Sequence, residues 1–420
     1  MQMGKPLVLI IGYVWPEPNS SAAGSRMLQL IEFFKAENYT VEFASPAAYS
    51  PFAVDLKAIG VKQTAITLNC SSFDDYIREL NPAIVLFDRF MMEEQFGWRV
   101  AKYCPDALRL LDTEDLHCLR EARRIAYKHQ TTVDAGLLQS DLAKREVASI
   151  FRCDLTFMIS EYEMELLTGT FKVDQTLLFY LPLLVTQTEL TALLQREPFA
   201  SRKDFVFIGN FLHEPNWNCV QVLKKEIWPE LRKQLPEAAL YIYGAYPSQK
   251  VLDFNNPKER FFVKGRAENS FEVIEKARVL LAPIRFGAGI KGKLLDAMVC
   301  GTPSVTTTTG AESMSGDLEW NGFIEDDNSR FVAQAAALYA NEQLWQEKQN
   351  NGLLLLQERY RDVLYWGSLK NRITYLLQHV NEHRLGNFIG AMLQHHSLQS
   401  THYMSKWIAE KNKDKSHSSE

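Results

Sequence analysis

Short apolar runs alternate along this chain with segments whose apolar positions recur at helical spacing. Leu7 to Gly12 reads as a buried strand and leads into a polar loop of Pro, Asn, Ser and Gly. RMLQLIEFFKAEN then predicts a helix, and VEFAS supplies the next strand. AIVLFD, LRLLD and LTFMIS continue the alternation. Strands separated by helices predict a parallel sheet wrapped on both faces.

The pattern breaks at TQTELTALLQREPFASRKD, which is polar and carries no strand signal. It restarts with DFVFIGN and runs through ALYIYG, RFFVKG, RVLLAPI and TPSVTT. Two βα series joined by a linker predict an α/β protein of two Rossmann-like domains, with one large sheet as the competing arrangement. The divisions fall at 1–185, a linker over 186–203, and a second domain over 204–357. A helical stripe over 358–384 and a tail over 385–420 follow. In open parallel sheets ligands bind beyond the carboxyl ends of the strands, so the cleft between two such domains is the expected site.

Composition narrows the function classes. The 420 residues carry 46 Lys+Arg against 51 Asp+Glu, a net charge of −5, with 46% hydrophobic and 23% charged residues. These are globular values, and without a basic excess no nucleic-acid partner is expected. No apolar run approaches the ~18–20 residues of a membrane span. The amino-terminal apolar run is too short for a signal peptide. The six cysteines are far apart and form no CxxC pair, so reduced thiols in the cytoplasm are expected. Neither the histidines nor the acidic residues show metal-ligand spacing.

The most informative stretch is LAPIRFGAGIKGKLLDAMVCGTPS, residues 281–304. A strand ends at Pro283, and a loop with Gly287 and Gly289 leads into a helix near Ile290. Such a helix start suits an anion, and Arg285, Lys291 and Lys293 add positive charge around it. Asp296 lies on the same helix face as Lys293, where a carboxylate can accept hydrogen bonds from a ribose diol. From glycine and charge alone, an ordinary turn with solvated lysines and a Lys293–Asp296 ion pair fits as well.

The same stretch closely resembles the nucleotide-sugar signature of GT-B glycosyltransferases, in particular the retaining family 4 group. FIGNFLHEPNWNCV, with Gly209 and Asn210, resembles that family's first strand and loop of the second domain. TGAES, with Gly310 and Glu312, resembles its later Gly-x-Glu loop. The resemblance runs over about 150 residues and is looser in the first half, through the loop ending in Ala23-Gly24, DTEDLH and MISEYEMELL. Two departures stand out. The family's paired glutamates are replaced by Ala288 and Asp296, and its Arg and Lys after the first strand by Asn210, His213 and Asn216.

The resemblance implies a GT-B fold whose terminal helices return to the first domain. Val363, Trp366, Leu369, Ile373 and Leu377 would form the buried stripe. It implies transfer from a nucleoside diphosphate sugar, with retention and without a metal or other cofactor, to a glycan, lipid-linked or protein acceptor. His117, Arg285 and Lys293 would be catalytic. Gly24, Gly209, Asn210, Gly287, Ala288, Gly289, Ile290, Lys291, Asp296, Gly310 and Glu312 would bind substrate.

Alternatives stay open residue by residue. His117 also fits a capping or surface histidine, and Gly24 a simple helix turn. Arg120, Arg123, Arg124 and Lys128 fit a solvated face or one that meets an anionic acceptor or membrane. LGNFIGAMLQ in the tail suits a partner or membrane-surface helix, so peripheral contact with the inner face of a membrane is a further expectation. A sugar-nucleotide epimerase and an inactive accessory subunit are the competing functions.

Overall fold

The computed structural model describes residues 5–193, 196–396, 403–404 and 406–408. The first series forms a parallel sheet of β1 (Leu7–Ile11), β2 (Thr40–Ser45), β3 (Lys62–Ala65), β4 (Ile84–Asp88), β5 (Leu108–Asp112), β6 (Leu155–Met158) and β7 (Leu178–Tyr180), in the order β3-β2-β1-β4-β5-β6-β7. The second is built from β8 (Lys203–Ile208), β9 (Leu240–Tyr243), β10 (Phe261–Gly265), β11 (Ala277–Ala282), β12 (Ser304–Thr306) and β13 (Gly322–Ile324), in the order β10-β9-β8-β11-β12-β13. Both sheets reverse direction of growth beside their first strand, between β1 and β4 and between β8 and β11. That is where open parallel sheets form a crevice.

Central strands are apolar on both faces because helices cover both. β4 is buried along its whole length, whereas β3, at an edge, is polar and half-exposed. β3, β7 and β13 are short edge or near-edge strands that the apolar pattern did not announce.

The terminal helix Trp366–Gly386 returns to the first domain, as expected. Leu369, Ile373 and Leu376 are buried in the same cluster as Val8, Phe34, Phe43 and Leu86, with Trp366 and Leu377 packed against it. Val363 does not join this stripe. It is 60% exposed, because residues Asp362–Leu364 form a 3₁₀ turn before the helix begins. The crossover is tied where it leaves the second domain: the Val185 N–H donates to the Tyr360 carbonyl at 2.7 Å.

Packing continues beyond residue 384. The Asn387 side chain donates to the Phe151 carbonyl at 2.7 Å, and Leu393 packs against the first domain's core. The tail segment KNKDKSHSSE lies outside the described residues. Among the described residues, no helix is long and apolar enough to cross a membrane.

Candidate functional site

The carboxyl edges of the two sheets face each other, and the 285–291 loop after β11 reaches across. Gly287 (φ 152°) and Gly289 (φ 62°) adopt backbone that side chains resist. A Cβ on Gly289 would stand 2.8 Å from the Asp115 Cβ, so glycine is required by the approach as well. The Gly289 N–H donates to Glu163 Oε1 at 2.7 Å, and Ala288 is buried among first-domain residues. Ile290 anchors the other end in the second domain's core.

On the second-domain side, Lys291 precedes the helix Gly292–Val299 as its cap residue, and Lys293 lies in its first turn. Lys291 Nζ donates to the Ala288 carbonyl at 3.1 Å and also to that of Gly289. Lys293 Nζ donates to Asn216 Oδ1, and Asn216 Nδ2 donates to the Asn210 carbonyl at 2.7 Å. Asn216 thus links the loop of Gly209 and Asn210 to the lysine. Its side chain fills the space beside Gly209, where a Cβ would come within 2.7 Å. Burial pushes the Lys293 ammonium down to about 8, so an incoming diphosphate would stabilise its charged form. Burial and the nearby Glu189 push Asp296 up to about 7, against the pull of Lys293.

The first-domain side is built from the end of β5. His117 opens the helix His117–His129, whose first amides are bound by buried carboxylates. Glu146 accepts the His117 and Cys118 N–H groups at 2.9 Å each, and Glu163 accepts that of Leu116 at 3.1 Å. The His117 ring stands edge-on to Phe90 and 3.7 Å from Asp115. Burial pushes its pKa down to about 4 against the pull of Asp115, with Arg120, Arg89 and His213 adding to the effect. The ring is therefore neutral near pH 7 and can donate to or accept from a sugar hydroxyl. Asp115 is pushed up by burial, but Arg120, His117, His213 and Lys291 outweigh that and hold it below the usual carboxylate range.

The structure brings His117, Gly287, Ala288, Gly289, Lys291 and Glu312 to one place, with Lys293 and Asn216 behind them. Glu312 binds Arg123 at 2.6 and 2.8 Å, and Arg123 also donates to the Gly287 carbonyl at 2.9 Å. Gly310 lies in the short helix Thr308–Ala311, with its N–H on Thr307 Oγ1 and its open face against Thr306.

Two expected residues are occupied otherwise. Arg285 donates to the Asp326 carbonyl at 3.0 Å and to Asn328. Gly24 is covered by the Glu17 backbone, within 2.4 Å of where a Cβ would stand, and its N–H donates to Ser21 Oγ. Glycine is needed there for a turn of the chain itself. On the basic face of the His117–His129 helix, Arg120, Arg123 and Arg124 pair with Asp115, Glu312 and Glu121, and Lys128 is exposed.

Glu163, Glu146 and Arg89 were not singled out from the sequence. A positive-φ arginine directly after a strand-ending aspartate has no signature in a pattern of apolar positions.

The profile of the family described as glycosyl transferases group 1 matches residues 202–341, within the second domain and its linker. No curated protein sequence matches the chain. Among solved structures it is similar to sucrose-phosphate synthase from Thermosynechococcus elongatus, at 15% identity and a TM-score of 0.63, covering 89% of this chain and 100% of that one. A glycosyltransferase from Rickettsia africae aligns at 10% identity and a TM-score of 0.64, covering 89% and 98%. The Anabaena protein HepE in complex with UDP-glucose aligns at 12% identity and 0.63, covering 88% and 100%. At such identities the likeness establishes a common fold, which is GT-B.

Proposed function

We propose that this chain is a glycosyltransferase that moves a hexosyl group from a nucleoside diphosphate sugar to an acceptor hydroxyl with retention. It would work without a metal, in glycan or glycoconjugate synthesis on the cytoplasmic side. The observation that carries this reading is the pair Lys291 and Lys293 at the start of the Gly292–Val299 helix, across the cleft from neutral His117. The group 1 match over 202–341 and the UDP-glucose bound by HepE support a sugar-nucleotide donor.

In the reaction the bond from the sugar's C1 to the diphosphate breaks and a bond from C1 to the acceptor oxygen forms. The acceptor proton passes to a leaving phosphate oxygen, so no strong base is needed. Negative charge grows on the leaving group, and the lysines with the helix start are fixed where that charge develops. His117 would hold a sugar hydroxyl. Asp296 would receive the ribose diol, and the cost of ionising it would be offset by those hydrogen bonds.

The test is thermal denaturation with UDP, GDP and ADP, then mass spectrometry with the matching hexose donors. One diphosphate should raise the melting temperature by several degrees, as saturating ligand does. Its sugar should appear on an added acceptor. No response to any of the three would overturn the reading, and a free sugar product without acceptor would point to an epimerase or hydrolase.

A further inference from the structure

At the carboxyl edge of the first sheet, two neighbouring strands end alike. β4 closes with Asp88 and continues into Arg89, and β5 closes with Asp112 and continues through Thr113 into Glu114. Arg89 has φ 69° and ψ 156°, a region otherwise left to glycine, and Glu114 has φ 64°. Both positions keep charged side chains where glycine would relieve the backbone.

These side chains are not consumed by the fold. Asp88 and Glu114 are 5% and 8% exposed. Asp88 Oδ2 accepts the Tyr13 N–H at 3.0 Å, but Asp88 Oδ1 and Glu114 Oε1 have no hydrogen-bond donor. The Arg89 guanidinium lies 3.9 Å from Asp88 Oδ1, too far for a hydrogen bond, and 5.2 Å from the centroid of the Tyr13 ring. Asp112, on the neighbouring strand, shows what a structural carboxylate looks like here: Arg26 grips it at 2.9 Å. Burial pushes both Asp88 and Glu114 above the usual carboxylate range, with the neighbouring Asp112 adding to the effect on Glu114.

The ligand chemistry follows from the mixture. Asp88 and Glu114 are carboxyl groups that burial inclines toward the neutral form, and Arg89 stands beside them as a fixed cation. A hydroxyl satisfies both, since it donates to carboxyl oxygen and accepts from guanidinium N–H. The position suits the second substrate, because the field of Arg89 is felt at Asp115, His117 and His213.

We propose that Asp88, Arg89 and Glu114 form a subsite for a neutral polyhydroxylated acceptor, a saccharide, beside the reacting centre. The assignment rests on the glycosyltransferase reading. The acceptor would enter along the first sheet's carboxyl edge, where its ring hydroxyls meet Asp88 Oδ1 and Glu114 Oε1, the two oxygens without a donor.

Saturation-transfer NMR on the protein, both free and loaded with UDP, GDP or ADP, with D-glucose, N-acetylglucosamine and maltose tests the subsite. At least one sugar should receive saturation, and Glu114→Gln and Asp88→Asn should each weaken that binding about tenfold, the effect of losing one hydrogen bond. Glu114→Gly should at the same time raise the melting temperature, because it relieves the backbone and removes a buried carboxylate. The UDP-induced rise in melting temperature should match wild type in all three variants.

No saturation of any sugar in wild type, or undiminished saturation in Glu114→Gln and Asp88→Asn, overturns the subsite. So does a melting temperature lowered by Glu114→Gly, which would make the residue structural. If the variants instead bind UDP-glucose less well relative to UDP, the groups hold donor sugar and the acceptor assignment fails. Wild-type protein indifferent to nucleotides would count against the glycosyltransferase reading alone, since sugar binding is read separately.

Discussion

Lys293 and Arg285 belong to the same basic stretch but serve different partners. Lys293 is held by Asn216 above the Phe207 ring, facing the β8 loop, whereas Arg285 is held by Asp326 and Asn328. Lys293→Ala should therefore lower turnover by about 10²–10³, the scale of one lost contact to transition-state charge. Arg285→Ala should change turnover less than tenfold, a contrast that steady-state kinetics on the two variants will read; equal losses would place Arg285 on the leaving group. His117 gives a pH signature. Its folded pKa of about 4 lies below the ordinary 6.5, so between these values the unfolded chain binds a proton that the native state refuses. Stability conferred by the neutral ring is present above pH 6.5 and is lost as pH falls toward 4. Urea denaturation of His117→Gln beside wild type should show the variant gaining on the order of 3 kcal/mol relative to wild type on going from pH 7 to pH 4. A constant difference would mean the folded ring titrates as the unfolded one does.

At the scale of elements, the 285–291 loop is a plug as much as a cradle. Gly289→Ala adds a methyl 2.8 Å from the Asp115 Cβ at a φ of 62°, so the loop must lift off the first domain. Nucleotide affinity should stay near wild type while turnover falls at least tenfold, because 1 Å at a reacting centre is costly. Isothermal titration and kinetics separate the two, and an unaltered rate would show the loop need not seat. The terminal helix is the second such element. A chain ending at residue 365 lacks Leu369, Ile373 and Leu376, each worth about 2–5 kcal/mol in a core, against a total stability of about 5–15. It should not fold, while a chain ending at 396 should melt within a few degrees of the full one; circular dichroism decides both. The sequence announced the helix but not its start, because Val363 has the right spacing and only the 3₁₀ turn at Asp362–Leu364 takes it out of the stripe. The long central strands were legible for the same reason that β3 was not: burial on both faces writes an unbroken apolar run, and a half-exposed edge strand such as KQTA writes none. Within the site, the glycines and lysines of one local loop could be read together. Glu163 could not, since folding joins it to that loop from 126 residues away along the chain, nor could Arg89, which follows β4 in the first domain.

For the whole molecule, the join between domains combines the buried seat of Ala288 with polar contacts, and the polar ones suit surfaces that part and meet again. Arg123 spans it, gripping Glu312 with two hydrogen bonds and the Gly287 carbonyl with a third. Both side chains are shielded, at 15% and 18% exposed, so the pair is worth more than a surface ion pair. Further along, Ser313 Oγ accepts the Tyr162 N–H at 2.9 Å, and Tyr246 donates to Glu17. Closing these contacts over a bound donor would exclude water and favour an acceptor hydroxyl over hydrolysis. Arg123→Ala removes the clamp and leaves Glu312 facing the cleft without its cation. Small-angle scattering should then report a larger radius of gyration, and the fraction of donor lost to hydrolysis should rise while nucleotide binding to the second domain persists. Adding Glu312→Gln should cost less than the sum of the two single changes, with a coupling of about 1–3 kcal/mol, because the carboxylate no longer needs the arginine. Additive effects together with an unchanged radius would assign domain closure to Glu163 and Gly289 instead, since theirs is the other carboxylate contact that joins the 285–291 loop to the first domain.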